Sequence, residues 1–121
     1  MQTDWPDYLR VHSDRRNLII HIIAVPLFVG SFIYIPLYLF RGDFVSVLIA
    51  GVLAVFAMFL QGRGHAVERA APRPFSSPVN FLNRWFREQF IVFPLFVLSG
   101  RWWQQFRAVD RAAKHESRHD A

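Results

Sequence analysis

Cysteine is absent from the chain, which excludes a disulfide framework, a thiolate nucleophile and any zinc or iron–sulfur site held by cysteine. The same absence leaves the redox compartment unread. Gly62 and Gly64 stand close together, but the run around them lacks the strand and the lysine that a phosphate loop needs, so nucleotide binding has no support. No small-residue cleavage site follows the first apolar stretch, and the polar start, Met1 to Asn17, is longer than the n-region of a signal peptide. No cleaved targeting segment is expected.

What the chain does contain is apolar surface. Hydrophobic residues make up 53% of the 121 positions and aromatics 17%, too greasy a mixture for an ordinary soluble domain. From Leu18 to Phe40 no residue carries a formal charge, a stretch long enough to cross about 30 Å of hydrocarbon. Arg41, Gly42 and Asp43 supply a turn, and Phe44 to Leu60 is again almost wholly aliphatic or aromatic. Spans over 18–40 and 44–60 joined so tightly must run antiparallel, with Ala50, Gly51, Ala54 and Ala57 offering a face for close approach. The net charge of +5 does not gather into a nucleic-acid patch: Arg10, Arg15 and Arg16 precede the first span and Arg63, Arg69 and Arg73 follow the second. That placement argues against nucleic acid as a partner, makes the lipid bilayer the solvent, and puts both open ends on the cytoplasmic side.

Beyond the hairpin, Ser77 and Pro78 read as the N-cap and first residue of a new helix. Leu82, Phe86, Phe90 and Phe93 recur at helical spacing, with Arg84, Arg87 and Glu88 mostly off that stripe, as in an amphipathic interfacial helix. The run Phe90 to Leu98 contains Pro94 and is too short to span alone, and Arg101, Trp102 and Trp103 resemble a headgroup anchor. The expected architecture is all-α: one membrane helical bundle over 1–106, built on the hairpin, with amphipathic, re-entrant or spanning helices over 78–106. Residues 107–121 form a charged tail, either exposed helix or disordered.

Three of the five histidines fall into register with the hairpin. His21 and His65 lie almost equidistant along the chain from Gly42, so equal helical rise brings them to one depth. On one straight helix His12 would point about 180° away from His21, and it reaches the pair only if the chain breaks between them. Ser13 or Asp14 supplies that break as an N-cap, and Asn17 then shares a face with His21. Gln61, His65 and Glu68 fall on one stripe of the second helix. Ionisable groups at a membrane surface pair with one another, line water or bind a metal. Three imidazoles and a carboxylate suit iron, copper or zinc, and the same spacing also permits plain interfacial hydrogen-bonding histidines. His115 and His119 read as a solvated surface pair.

Tyr8, His12, Asn17 and His21, with Pro26 and Leu27 following, resemble the opening motif of a fungal and bacterial membrane family of 2-hydroxy-fatty-acid dioxygenases, which makes odd-numbered fatty acids from phytosphingosine. Gln61-Gly62-Arg63-Gly64-His65-Ala66-Val67-Glu68, followed by Ala71-Pro72, resembles its second motif. The likeness covers roughly residues 8 to 98; Ala24 stands where a glycine is expected, and Arg73-Pro74 replaces a more apolar continuation.

The resemblance implies an Fe(2+) dioxygenase that converts a 2-hydroxy fatty acid and O2 to the one-carbon-shorter acid and CO2. His12, His21 and His65 would bind the iron, with Glu68 a ligand or base and Asn17 and Gln61 orienting imidazoles. Arg63 or Arg69 would attract the fatty carboxylate. The bacterial inner membrane or the endoplasmic reticulum would house it, and self-association is left open. Two other readings stand beside this one: a small b-type haem protein with His21 and His65 as axial ligands, and a membrane protein without enzymatic activity. A desaturase or hydroxylase needs more histidine boxes for its two irons than this chain has.

Overall fold

A computed structural model describes residues 3–121; Met1 and Gln2, where the polar start and the 1–106 domain begin, lie outside the described residues. Every element in it is helical. Helix α1 (Trp5–Arg10) starts at Asp4, whose carboxylate accepts from the Asp7 amide, and has Pro6 in its first turn, where no intrahelical donor is lost. The chain then breaks at Val11-His12-Ser13. Asp14, accepting from the Arg16 amide, caps α2 (Arg15–Phe40). Of the two capping residues expected, Asp14 starts the helix and His12 stays outside it.

The turn at residues 41–43 uses Gly42 at φ +70°, a conformation that glycine adopts without penalty. Asp43 then caps α3 (Phe44–Ala66), accepting from the Ser46 amide at 3.1 Å and the Ser46 hydroxyl at 2.6 Å. The helix continues past Leu60 to Ala66, so Gln61 and His65 ride on the same rigid rod as the apolar stretch. Ala50, Ala54 and Ala57 are buried along α3, the last two packed with Ala24 and Phe28 of α2. Gly51, expected on that face, has open space beside it. The closest approach falls at the opposite end, where a Cβ on Gly64 would collide with the Asn17 amide oxygen. Among the described residues α2 and α3 are the two helices long and apolar enough to cross a membrane.

Helix α4 (Pro78–Arg87) begins as its sequence predicts, with the Ser77 hydroxyl accepting from the Asn80 amide at 3.0 Å. Phe86 and Phe90 pack on Phe32 of α2, with ring centroids 5.4 and 5.7 Å away. The helix then widens into a π turn over Glu88–Val92, where the Phe93 amide reaches back to the Glu88 carbonyl, and continues as α5 (Phe93–Leu98). Pro94 accounts for the widening: it offers no N–H, and in a regular helix its ring would press on the carbonyl four residues earlier. Gly100, at φ +80°, turns the chain into α6 (Arg101–His119).

Helix α6 folds back over the start of the molecule. The Trp102 indole donates to the Leu18 carbonyl at 3.1 Å, and Arg15 pairs with Asp110 at 3.0 Å. Trp102 therefore packs on protein while its neighbour Trp103 stays exposed, so only part of the expected headgroup anchor faces outward. The charged tail continues the same helix to His119 and is exposed from Arg111 onward. Tyr8, Leu18, Val25, Val92, Phe93 and Phe96 form the core beneath it.

Candidate metal centre

His12, His21 and His65 meet in the space between the break after α1, the first turns of α2 and the last turn of α3. Their ring centroids are 5.0, 5.0 and 4.8 Å apart, with each pair of planes nearly perpendicular. One nitrogen from each ring lies within 4.8 Å of the others. Three histidines so arranged could form a metal site.

Hydrogen bonding sets which nitrogens point inward. His12 Nδ1 is 2.8 Å from the Tyr8 carbonyl and His21 Nδ1 is 3.0 Å from the Asn17 carbonyl. A carbonyl can only accept, so each Nδ1 carries the proton and each Nε2 keeps its lone pair. His12 Nε2, His21 Nε2 and His65 Nδ1 are buried with no hydrogen-bond partner among the described residues. Unpaired buried acceptors are costly, and a divalent cation satisfies all three together. Burial, reinforced by the two neighbouring imidazoles, holds His12 well below the ordinary histidine range, keeping it in the neutral form that a metal requires.

His12 is held from both sides. Its ring stacks on Tyr8 at 4.1 Å, and the Tyr8 hydroxyl donates to Glu88 Oε1 at 2.7 Å. The same oxygen lies 3.7 Å from His12 Nε2. Burial pushes the Glu88 carboxyl up to about 7 against the opposing hydrogen bond from Tyr8. Burial, and then the Glu88 charge, push the Tyr8 hydroxyl well above its ordinary value, so Tyr8 remains a donor.

A cleft of about 570 Å³ opens onto this centre. His12, His65, Gln61 and Glu88 line its polar part, and Met58, Phe75, Phe81, Trp85 and Val92 its apolar part. Polar ligands next to an apolar wall suit a molecule with a charged head and a hydrocarbon tail.

A family model described as 2-hydroxy-palmitic acid dioxygenase Mpo1-like matches residues 1–93. The chain belongs to that family. The matched region contains α1 to α4 and the π turn, and hence all three histidines, Tyr8 and Glu88; the family name points to a dioxygenase acting on a 2-hydroxy fatty acid. No curated protein and no solved structure matches.

In the Mpo1-like chain the other expected site residues take up varied positions around this centre. Asn17 is buried and supports His21 through its backbone carbonyl; its side-chain amide donates to the Val11 carbonyl at 3.2 Å and to Glu68 Oε1 at 2.8 Å. Glu68 also accepts from the amides of Ser13 and Asp14, at 3.1 and 3.0 Å. Its carboxylate is thus the clasp that ties the end of α3 to the start of α2, and it is not among the clustered ligand atoms. Gln61 exchanges hydrogen bonds with Gln89, at 2.9 and 2.6 Å, rather than with an imidazole. Arg63 and Arg69 are exposed and do not line the cleft, and Arg69 lies 3.8 Å from Glu116. The arginines that do line it are Arg73, Arg84 and Arg87. Glu88 and Gln89 carry no motif signal of their own. The clue in the sequence to Glu88 is its helical spacing from Phe81, Arg84 and Trp85, which share the face that lines the cleft.

Proposed function

We propose that this chain is an Fe(2+)-dependent dioxygenase of fatty-acid α-oxidation, with His12, His21 and His65 as the iron ligands. The reading is carried by three clustered imidazoles, each with a buried and unpaired nitrogen, within the region that matches the family. The reaction balances without a further cofactor: a 2-hydroxy acid plus O2 gives the shortened acid, CO2 and water, and the substrate supplies all four electrons. Iron held by three protein ligands would keep positions open for a chelating 2-hydroxy carboxylate and for O2. The protein's own part is to fix the imidazole tautomers through the Tyr8 and Asn17 carbonyls, hold His12 against Tyr8, and keep the acyl tail against the apolar wall of the cleft.

Integral membrane placement is part of the proposal, with the centre at the cytoplasmic mouth of the hairpin in a bacterial inner membrane or the endoplasmic reticulum. Ile23, Ile33, Leu48, Val52, Val55 and Phe59 point away from the protein and are exposed, as lipid-facing residues would be. The excess of arginine lies at the open end, since Arg41 in the turn is offset by Asp43. Residues 1–106 would then be the membrane domain and 107–121 its exposed helical extension. The haem reading loses support from the rings themselves. Axial imidazoles on opposite faces of a porphyrin need centroids more than about 6 Å apart, and His21 and His65 are 4.8 Å apart.

The test is anaerobic loading of wild type and His65→Ala with ferrous iron, followed by a 2-hydroxy fatty acid and oxygen. Wild type should release the shortened acid and His65→Ala none; equal product from both sinks the assignment.

A further inference from the structure

A 2-hydroxy fatty acid differs from an ordinary fatty acid by one O–H donor. The carboxylate and the tail are common to both, so a site that separates them must recognise that hydroxyl, through a metal on its oxygen or an acceptor for its proton.

The cleft offers few acceptors that are not already engaged. Asp4 and Asp7 face Arg73, at 3.6 and 3.5 Å. The amides of Gln61 and Gln89 satisfy each other. Glu88 is the remaining carboxylate. Its Oε1 accepts from Tyr8 and lies 3.7 Å from His12 Nε2, while its Oε2 has no hydrogen-bond partner among the described residues. Because Glu88 lines the same cleft as His12 and His65, a hydroxyl brought up to the imidazole nitrogens comes within reach of that oxygen.

Resting on the dioxygenase reading above, we propose that Glu88 is the specificity-determining residue for the 2-hydroxyl group, accepting its hydrogen bond through Oε2 while Tyr8 holds Oε1. Tyr8 fixes the direction of the carboxylate, and its place at the end of α4 fixes its depth. The hydroxyl is thereby selected by the protein as well as by any metal it chelates.

The experiment uses the full chain loaded with zinc, which binds imidazole but supports no oxygen chemistry, so binding is read without turnover. Affinities for 2-hydroxypalmitic acid and palmitic acid are measured for wild type, Glu88→Ala, Glu88→Met and Glu88→Gln, with zinc content determined for each. The ratio of the two affinities should fall about tenfold in the Ala and Met variants, the worth of one hydrogen bond to a charged group. Glu88→Gln, whose single oxygen can serve Tyr8 or the hydroxyl but not both, should fall between wild type and Glu88→Ala while keeping its zinc. An unchanged ratio in Glu88→Ala and Glu88→Met overturns the proposal, and so does loss of zinc from Glu88→Gln, which would make Glu88 a ligand. Wild type that binds neither acid overturns the dioxygenase reading itself, and this inference with it.

Discussion

The Asn17 side-chain amide donates to Glu68 Oε1 at 2.8 Å, linking the first turn of α2 to the residues just beyond α3. Since Asn17 also holds His21 and Glu68 also holds Ser13 beside His12, this single pair connects the supports of two of the three histidines. Removing its carboxylate leaves two backbone amides and one side-chain amide without their acceptor.

Glu68→Ala should therefore lower stability by about 2 kcal/mol, the scale of losing charge-assisted hydrogen bonds at a half-buried position, and weaken metal binding at the same time. Thermal unfolding in detergent with and without zinc checks both. Unchanged zinc affinity would separate the clasp from the centre.

Gly64→Ala and Gly62→Ala form a matched pair. A methyl group at residue 64 lands on Asn17, whereas nothing lies within 4 Å of the same group at residue 62. Gly64→Ala should cost about 1–3 kcal/mol through overpacking, and Gly62→Ala should be neutral or stabilise by up to about 1 kcal/mol through helix propensity. Equal melting temperatures for the two variants would contradict the close approach.

The Gln61–Gln89 pair predicts a non-additive cycle. Either single change to leucine strands a buried amide and should cost about 1–3 kcal/mol, while the double change should recover much of that loss. Denaturant unfolding of the four proteins reads the coupling, and strict additivity would remove the pair as the pin between α3 and the π turn.

Metal stoichiometry tests the histidines apart from catalysis. Wild type should bind one zinc or cobalt ion, and His12→Ala, His21→Ala and His65→Ala should each lose at least about tenfold in affinity, since each removes one of three ligands. His115→Ala, far out on exposed α6, should bind as wild type does. A centre indifferent to His12 would place the ion elsewhere.

The sequence made the local signals and the equal arms readable. Asp14, Ser77 and the Gly42 turn act through their own neighbours, and the near-equal distances of His21 and His65 from Gly42 act through helical rise alone. Glu88 was not readable, because spacing alone does not say which face of α4 meets the cleft; the structure turns the face of Phe81, Arg84, Trp85 and Glu88 to it, while Gln89, in the π turn, lies in the core. Trp102 misled for a related reason. An indole with one donor suits a headgroup or a buried carbonyl equally well, and only the fold decides that Leu18 receives it. Glu68 was expected on the stripe of the second helix, but α3 ends at Ala66 and Glu68 lies past it, where its carboxylate is free to collect amides.

The three imidazoles arise from three separate segments: the break after α1, the body of α2 and the last turn of α3. No one segment brings two of them. During synthesis the first two emerge long before the third, and they cannot meet it until α3 has been made and has folded back along α2. On the proposed metal reading, loading would then be a late event in biogenesis, coming after the hairpin closes, and a chain truncated before His65 would be left without a complete centre.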